Sequence, residues 1–318
     1  MKRLWQLPPC RAWGVWLCLA GAWALSACRS TLPAERAPVV HADVHDLCTL
    51  ARRAWERGQA SVAAGLYERA LHRARGLDDA GGILVAATGL AVCRLEIGDS
   101  QGARRAAVEA RWAAQRLGGD DSNPRLLEAR ALAQEGRHRA AASIAREVLT
   151  RHSRGPLAAM AAVVVARDAL LQNDEPTVRA MLDLARRAVP ADSPPALRAS
   201  IAEIQAMSAA QKGDWPAAAV AWEEAARQWS ATGRASVDIV RCLAEAARAY
   251  DHAGERGAAA AAWYRAAIAT HPGDAAEAYA RAARERLDAV EPSALRDAIL
   301  ALEVAGCGSD RSRSGKEP

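Results

Sequence analysis

From about residue 43 the chain alternates small apolar and polar positions with the three- and four-residue spacing that keeps one face of a helix apolar. The pattern breaks at a glycine and then resumes. Around Gly213, Ala206 and Ala209 precede the break by seven and four residues. Ala218, Trp222 and Ala225 follow it by five, nine and twelve. The same offsets recur around Gly58 (Ala51, Ala54; Ala63, Tyr67, Ala70) and Gly98 (Ala91, Arg94; Ala103, Ala107, Ala110). They recur again around Gly136 (Ala129, Leu132; Ala141, Ala145, Val148), and around Gly254 (Ala247, Tyr250; Ala259, Trp263, Ala266). Asn173 holds the turn in a sixth copy, with Ala166, Ala169, Val178, Leu182 and Ala185. Each copy predicts two helices joined by a residue that tolerates the left-handed backbone conformation. Small residues beside the turn let the helices cross closely. The residue nine places after it reaches toward the next pair, and where it is Ala107 or Ala145 larger neighbours must fill the gap.

Breaks between the copies fall at Asp120–Pro124, Ser153–Pro156, Pro190–Pro195 and His271–Asp274. Asp274 is expected to cap a helix to about Val290, and Ser293 to start a last one to about Ala305. This pair has no turn glycine and reads as the cap of the array. The expected domain spans residues 43–305, with a disordered tail at 306–318.

Composition agrees with closely packed helices. Hydrophobic residues make up 51% of the 318 residues, yet Phe is absent and aromatics are 4%, so alanine supplies the core. A fold with period-two strands would need another pattern.

These offsets resemble the tetratricopeptide repeat family. The resemblance implies an all-α, right-handed superhelical solenoid of about six antiparallel helix pairs plus a C-terminal capping pair. The turn-to-turn distances are 40, 38, 37, 40 and 41 residues, longer than the family's period of about 34. HEAT-type pairs, at about 40–47 residues, are the competing architecture. The alanine five residues after the turn, present in five of the six copies, and the aromatic four residues on, present in three, favour the tetratricopeptide form.

In that family the first helices line a groove that holds a peptide or a partner helix. Six residues before each turn stand Arg52, Val92, Arg130, Arg167, Met207 and Arg248. Three before it stand Trp55, Leu95, Ala133, Leu170, Ala210 and Asp251. The expected groove residues are therefore Arg52, Trp55, Arg130, Arg167, Arg248 and Asp251. Guanidinium groups bind carboxylates in a forked geometry, so an arginine ladder would suit an acidic segment of a protein partner. With 42 Lys and Arg residues in the chain, the ladder also has a plain reading as a solvated face.

The start of the chain carries a separate signal. Lys2 and Arg3 precede an uncharged run from Ala12 to Leu25, too short to span a bilayer. Leu25-Ser26-Ala27-Cys28 at its end resembles the lipobox of bacterial lipoproteins. That resemblance implies cleavage after residue 27, acylation of Cys28, and a flexible tether over 28–42. More than one acyl chain gives stable anchoring. Arg29 after the cysteine, rather than Asp, implies an outer-membrane lipoprotein facing the periplasm. Loss of Lys2, Arg3 and Arg11 with the leader lowers the net charge from +5 to +2. Nothing in the remaining charge forms a nucleic-acid footprint.

Cys48, Cys93, Cys242 and Cys307 would remain. Their spacing matches no zinc pattern. Cys93 and Cys242 are expected to be helix-packing thiols, with a Cys48–Cys93 bridge as the alternative in an oxidising compartment. His41 and His45, near Asp43 and Asp46, read as solvated residues beside a helix cap at Asp43. No phosphate loop, nucleophile elbow or metalloprotease motif occurs. No catalytic residue, metal, cofactor, nucleic acid or small-molecule substrate is expected. The expectation is a lipid-anchored interaction scaffold or assembly factor, similar in architecture to assembly factors of pilus, secretion and outer-membrane machines. An accessory regulator of a cell-wall enzyme is the alternative.

Overall fold

The computed structural model describes residues 40–190, 193–233, 237–270, 274–286, 288 and 294–306. The expected leader 1–27, Cys28, the tether up to residue 39, Cys307 and the tail from 307 lie outside them.

Fourteen α-helices and no strand are present among the described residues. They stack in pairs: α1 (Ala42–Glu56) with α2 (Ala60–Gly76), α3 (Ala80–Glu96) with α4 (Ser100–Arg116), and α5 (Ser122–Gln134) with α6 (His138–Arg151). Next come α7 (Gly155–Leu171) with α8 (Glu175–Ala188), α9 (Pro195–Gln211) with α10 (Trp215–Ser230), and α11 (Val237–Ala253) with α12 (Arg256–Ala269). The last pair is α13 (Asp274–Arg284) and α14 (Ala294–Gly306). Six turn-linked pairs and a terminal pair are thus what the periodicity predicts. The helix from Asp274 stops earlier than expected, at Arg284 rather than near Val290.

The turns work as their residues require. Gly213 has φ +75° and Asn173 φ +55°. The residue after each turn donates its backbone N–H to the carbonyl four residues before the turn. The bonds run Gln59 to Ala54, Asp99 to Arg94, Arg137 to Leu132, Asp174 to Ala169, Asp214 to Ala209 and Glu255 to Tyr250, at 2.8–3.0 Å. These are the long bonds of the Schellman motif, which satisfy carbonyls that the helix end would leave bare. In three copies the same residue also starts the second helix: Asp99, Asp174 and Asp214 accept from Gly102, Thr177 and Ala217.

The first helix corrects one expectation. Its N-cap is His41, and Asp43 lies in the first turn and pairs with Arg73 at 2.9 Å. The His41 N–H is taken instead by Asp79 of the next pair, at 2.8 Å. Asp79 is itself the cap of α3, so one carboxylate ties two pairs together.

The residue nine places after each turn packs between pairs. Tyr67 lies against Gly89 of α3, where an added methyl group would come within 2.3 Å of the ring. Leu182 joins Ile201 and Ile204 of α9. Trp222 joins Cys242, Leu243 and Ala246 of α11. Trp263 joins Ala283 and Ile299, and stacks on Tyr279 at 5.6 Å. Where this position is alanine, bulk comes from the next pair. Ala107 shares a cluster with Leu127, and Ala145 with Val165 of the next pair as well as Leu126 of its own.

Cys48, Cys93 and Cys242 are buried free thiols. The Cys48–Cys93 bridge is therefore absent, and the packing role expected of Cys93 and Cys242 is the one found. Burial pushes the Cys48 thiol up to about 11, helped by the charge of Asp79. It pushes Cys242 up to about 12, with Glu203 next in importance.

Candidate protein-binding groove

First helices of successive pairs touch one another from α1 through α9, whereas second helices of adjacent pairs stand further apart. In a curved stack the closer row lies on the inside. Large apolar side chains left exposed on second helices, such as Trp112 and Val220, therefore lie on the outer row.

The inner row gathers charges from several pairs. Arg130 on α5 is in electrostatic reach of Glu96 on α3, Arg167 on α7 and Asp238 on α11. Its side chain is open to solvent on the inner row. Desolvation by the neighbouring helices pulls the Arg130 guanidinium below its ordinary pKa, and the like charge of Arg167 adds to the effect, while Glu96 and Asp238 oppose it. Among the described residues Arg130 makes no hydrogen bond or ion pair.

Each of the other predicted groove residues has a protein partner. Arg52 is exposed and 3.8 Å from Glu56 in its own helix. Trp55 donates its indole N–H to Glu96 at 2.5 Å. Arg167 reaches Glu203 at 3.5 Å. Arg248 pairs with Glu245 and lies 5.8 Å from the centre of the Trp263 ring. Asp251 receives both prongs of Arg286, at 2.6 and 2.7 Å, and the Trp263 indole N–H at 3.3 Å. Asp251 thus fastens the capping pair to α11. Arg130 and Arg167 occupy equivalent positions on the touching helices α5 and α7, whereas Arg52 and Arg248 stand on the first and sixth pairs with acids of their own helices.

Sequence reasoning missed Glu203 and Arg241. The Glu203 side chain is 4% exposed. One of its oxygens accepts from Arg241 at 2.8 Å and from the Trp229 indole at 2.7 Å, with the Cys242 thiol at 3.9 Å. The other faces Arg167. Burial opposes the charge on Arg241, but Glu203, Cys242 and Asp238 outweigh it and raise its pKa. A signal was present. Ten residues before the turns stand Cys48, Thr88, Leu126, Val163, Glu203 and Ala244. A charge in that column cannot be left unpaired in a core.

Two other recesses are lined mainly by charges that pair with neighbours. One of about 630 Å³ lies between α1 and α2, where Asp43 pairs with Arg73. One of about 250 Å³ lies between α8 and α9, where Glu175 meets Arg179 and Lys212. A Ser–His–Asp group occurs between pairs, but its geometry is structural. Ser122 is fully buried, its hydroxyl donates to Asp120 at 2.6 Å, and both face the same His152 nitrogen. A nucleophile would need the base between itself and the acid. Among the described residues no cluster of three or more His, Cys, Asp or Glu side chains is placed to hold a metal ion.

No family model matches the sequence. No curated protein matches it either. Among solved structures, the apo form of the quorum sensor NprR from B. thuringiensis is similar at 12% identity and a TM-score of 0.54, covering 95% of this chain and 93% of that one. A tetratricopeptide repeat protein from Parabacteroides merdae aligns at 11% identity and a TM-score of 0.46, over 80% and 97% of the two chains. At these identities the likeness concerns the fold. Six glycine- or asparagine-turn helix pairs, stacked with their first helices side by side and closed by a terminal pair, make this chain a tetratricopeptide-type array.

Proposed function

We propose that this protein is a non-catalytic scaffold, held to a bacterial membrane by lipid on Cys28, whose inner row of helices grips an extended acidic segment of an envelope protein. The observation that carries the groove reading is Arg130, a solvent-exposed cation on the inner row without an ion pair among the described residues. A partner carboxylate would supply its missing partner through a charge-assisted bond. Arg167 holds the equivalent position on the touching helix α7, and Arg52, Trp55, Arg248 and Asp251 extend the row toward both ends. In this reading the outer-membrane anchor places the groove in the periplasm, where pilus, secretion or outer-membrane components assemble.

Chemical cross-linking in cells, followed by capture of the anchored protein and of an Arg130→Glu, Arg167→Glu variant, tests the groove. The expected result is a partner captured through a defined acidic segment and lost from the variant. Equal capture by both forms refutes the groove reading. For the anchor, Cys28→Ser should release the protein from the membrane fraction, and unchanged membrane association would rule out lipidation there.

A further inference from the structure

Three arginines follow one another along the inner row, and one buried carboxylate binds two of them. Arg241 and Arg167 meet opposite oxygens of Glu203, and Arg130 holds the same place as Arg167, six residues before the turn, on the touching first helix α5. The two ends of this chain differ in how firmly they are held. Arg241 is fixed at 2.8 Å to Glu203 and 3.1 Å to Asp238. Arg167 approaches Glu203 only at 3.5 Å, at the outer limit of a hydrogen bond. Arg130 has no such contact.

We propose that Arg130 and Arg167 together receive one carboxylate of the bound segment, and that Glu203 is an internal competitor that sets how tightly they hold it. This rests on the reading of the groove as a site for an acidic segment. Glu203 meets one donor of Arg167, its Nη2. The guanidinium is planar with five donors, so its other edge stays free for an anion arriving from the groove. Arg167 is 39% exposed at its side chain, which leaves that edge accessible. The nearby acids do not fill the role. Glu96 accepts from Trp55, and Asp238 is held by Arg241. Glu203 is nearly fully buried, so its charge is weakly screened and acts strongly on any anion that Arg167 binds.

A competitor and a mere structural support differ in sign. Removing a support weakens binding of every ligand or leaves it unchanged. Removing a competitor tightens binding of anions alone.

The test uses a fluorescent alternating Glu-Ala peptide and its Gln-Ala counterpart, titrated against the full chain by anisotropy. The acidic peptide should bind about tenfold or more tightly than the neutral one. Arg130→Gln and Arg167→Gln should each weaken the acidic peptide about tenfold, and Arg130→Lys should fall between, since it keeps the charge and loses the fork. Arg116→Gln, on the outer row, should match the unaltered protein. Glu203→Gln should tighten the acidic peptide about threefold or more and leave the neutral one unchanged. Circular dichroism of each variant establishes that it is folded.

If both peptides bind alike, or neither binds, the acidic-segment reading falls and this inference with it. If the acidic peptide is preferred but Arg130→Gln and Arg167→Gln bind it normally, the reading stands and the inference alone is overturned. If Glu203→Gln is folded and binds the acidic peptide more weakly, Glu203 is no competitor.

Discussion

The Tyr67 ring lies over Gly89 so closely that a methyl group there would sit 2.3 Å from the ring's Cζ and 2.4 Å from Cε1. Tyr67 is 9% exposed and Gly89 lies within α3, so neither has an easy route of escape. Gly89→Ala should gain about 1 kcal/mol of helix propensity. It should lose about 1–3 kcal/mol to overpacking. The expected outcome is a net loss of up to about 2 kcal/mol, read as a lowered urea midpoint with an unchanged m value. A stabilised Gly89→Ala protein would mean that the two pairs are not interlocked here.

This interlock shows what local sequence can and cannot disclose. Tyr67 is visible as the bulky residue nine after a turn, because helix period and turn chemistry act within a few residues. Gly89 as its socket is not visible, because that requires the register between two pairs. Glu203 illustrates the same limit. Its column marks it as anomalous, but its partners Arg167, Trp229 and Arg241 lie 26 to 38 residues away on three different helices. His41 displaced Asp43 as the first cap for a related reason. A carboxylate from the next pair, Asp79, reaches back to the start of α1, and no local rule anticipates it.

The Asp251–Arg286 pair fixes the end of the array. Both side chains are largely withdrawn from solvent, at 27% and 20% exposure, and the contact is two-pronged. Arg286 also donates to the Ala282 carbonyl and lies 6.0 Å from the centre of the Trp263 ring. Arg286→Ala should therefore loosen the capping pair before the rest of the array. Stacked repeats interact mainly with neighbours, so the effect should stay local. Hydrogen exchange should accelerate in α13 by about tenfold, equivalent to about 1.4 kcal/mol, with α1 to α4 unaffected. Uniform acceleration across all pairs would show that the end is not an independent unit.

Asp121 links the second pair to the third. Burial works against its charge, but hydrogen bonds from Arg125, Gln115 and Arg151 outweigh this and hold the carboxyl below its ordinary range. Its folded pKa is thus lower than its unfolded one, about 3.9. The stability it contributes is present above that value and is lost as pH falls through the folded pKa. Asp121→Asn should cost about 2–3 kcal/mol at neutral pH, because Arg125 and Arg151 lose their buried counter-ion. The difference between the two proteins should be constant from neutral pH to about 5 and shrink below about 4. Thermal melts across that range measure it. A difference independent of pH down to the acid limit would locate the effect in packing rather than charge.

The thiols give the opposite sign. Cys48 at about 11 and Cys242 at about 12 hold their protons more tightly than a free thiol near 8.5. A group raised on folding stabilises fully below its unfolded pKa and loses that contribution as pH rises toward the folded value. Stability should therefore decline as pH climbs above about 8.5. Replacing Cys242 with Ala should blunt that decline, at a cost at neutral pH from the lost packing. Reactivity follows the same logic, because the thiolate is the nucleophile. At pH about 8 the ionised fraction of these two thiols falls about two to three orders of magnitude below that of a free cysteine. Iodoacetamide labelling followed by peptide mapping should find Cys48 and Cys242 protected in the native protein and fully reactive in urea. Rapid native labelling of Cys242 would mean that its helix opens readily, and that the Glu203–Arg241 contact does not hold the inner row in place.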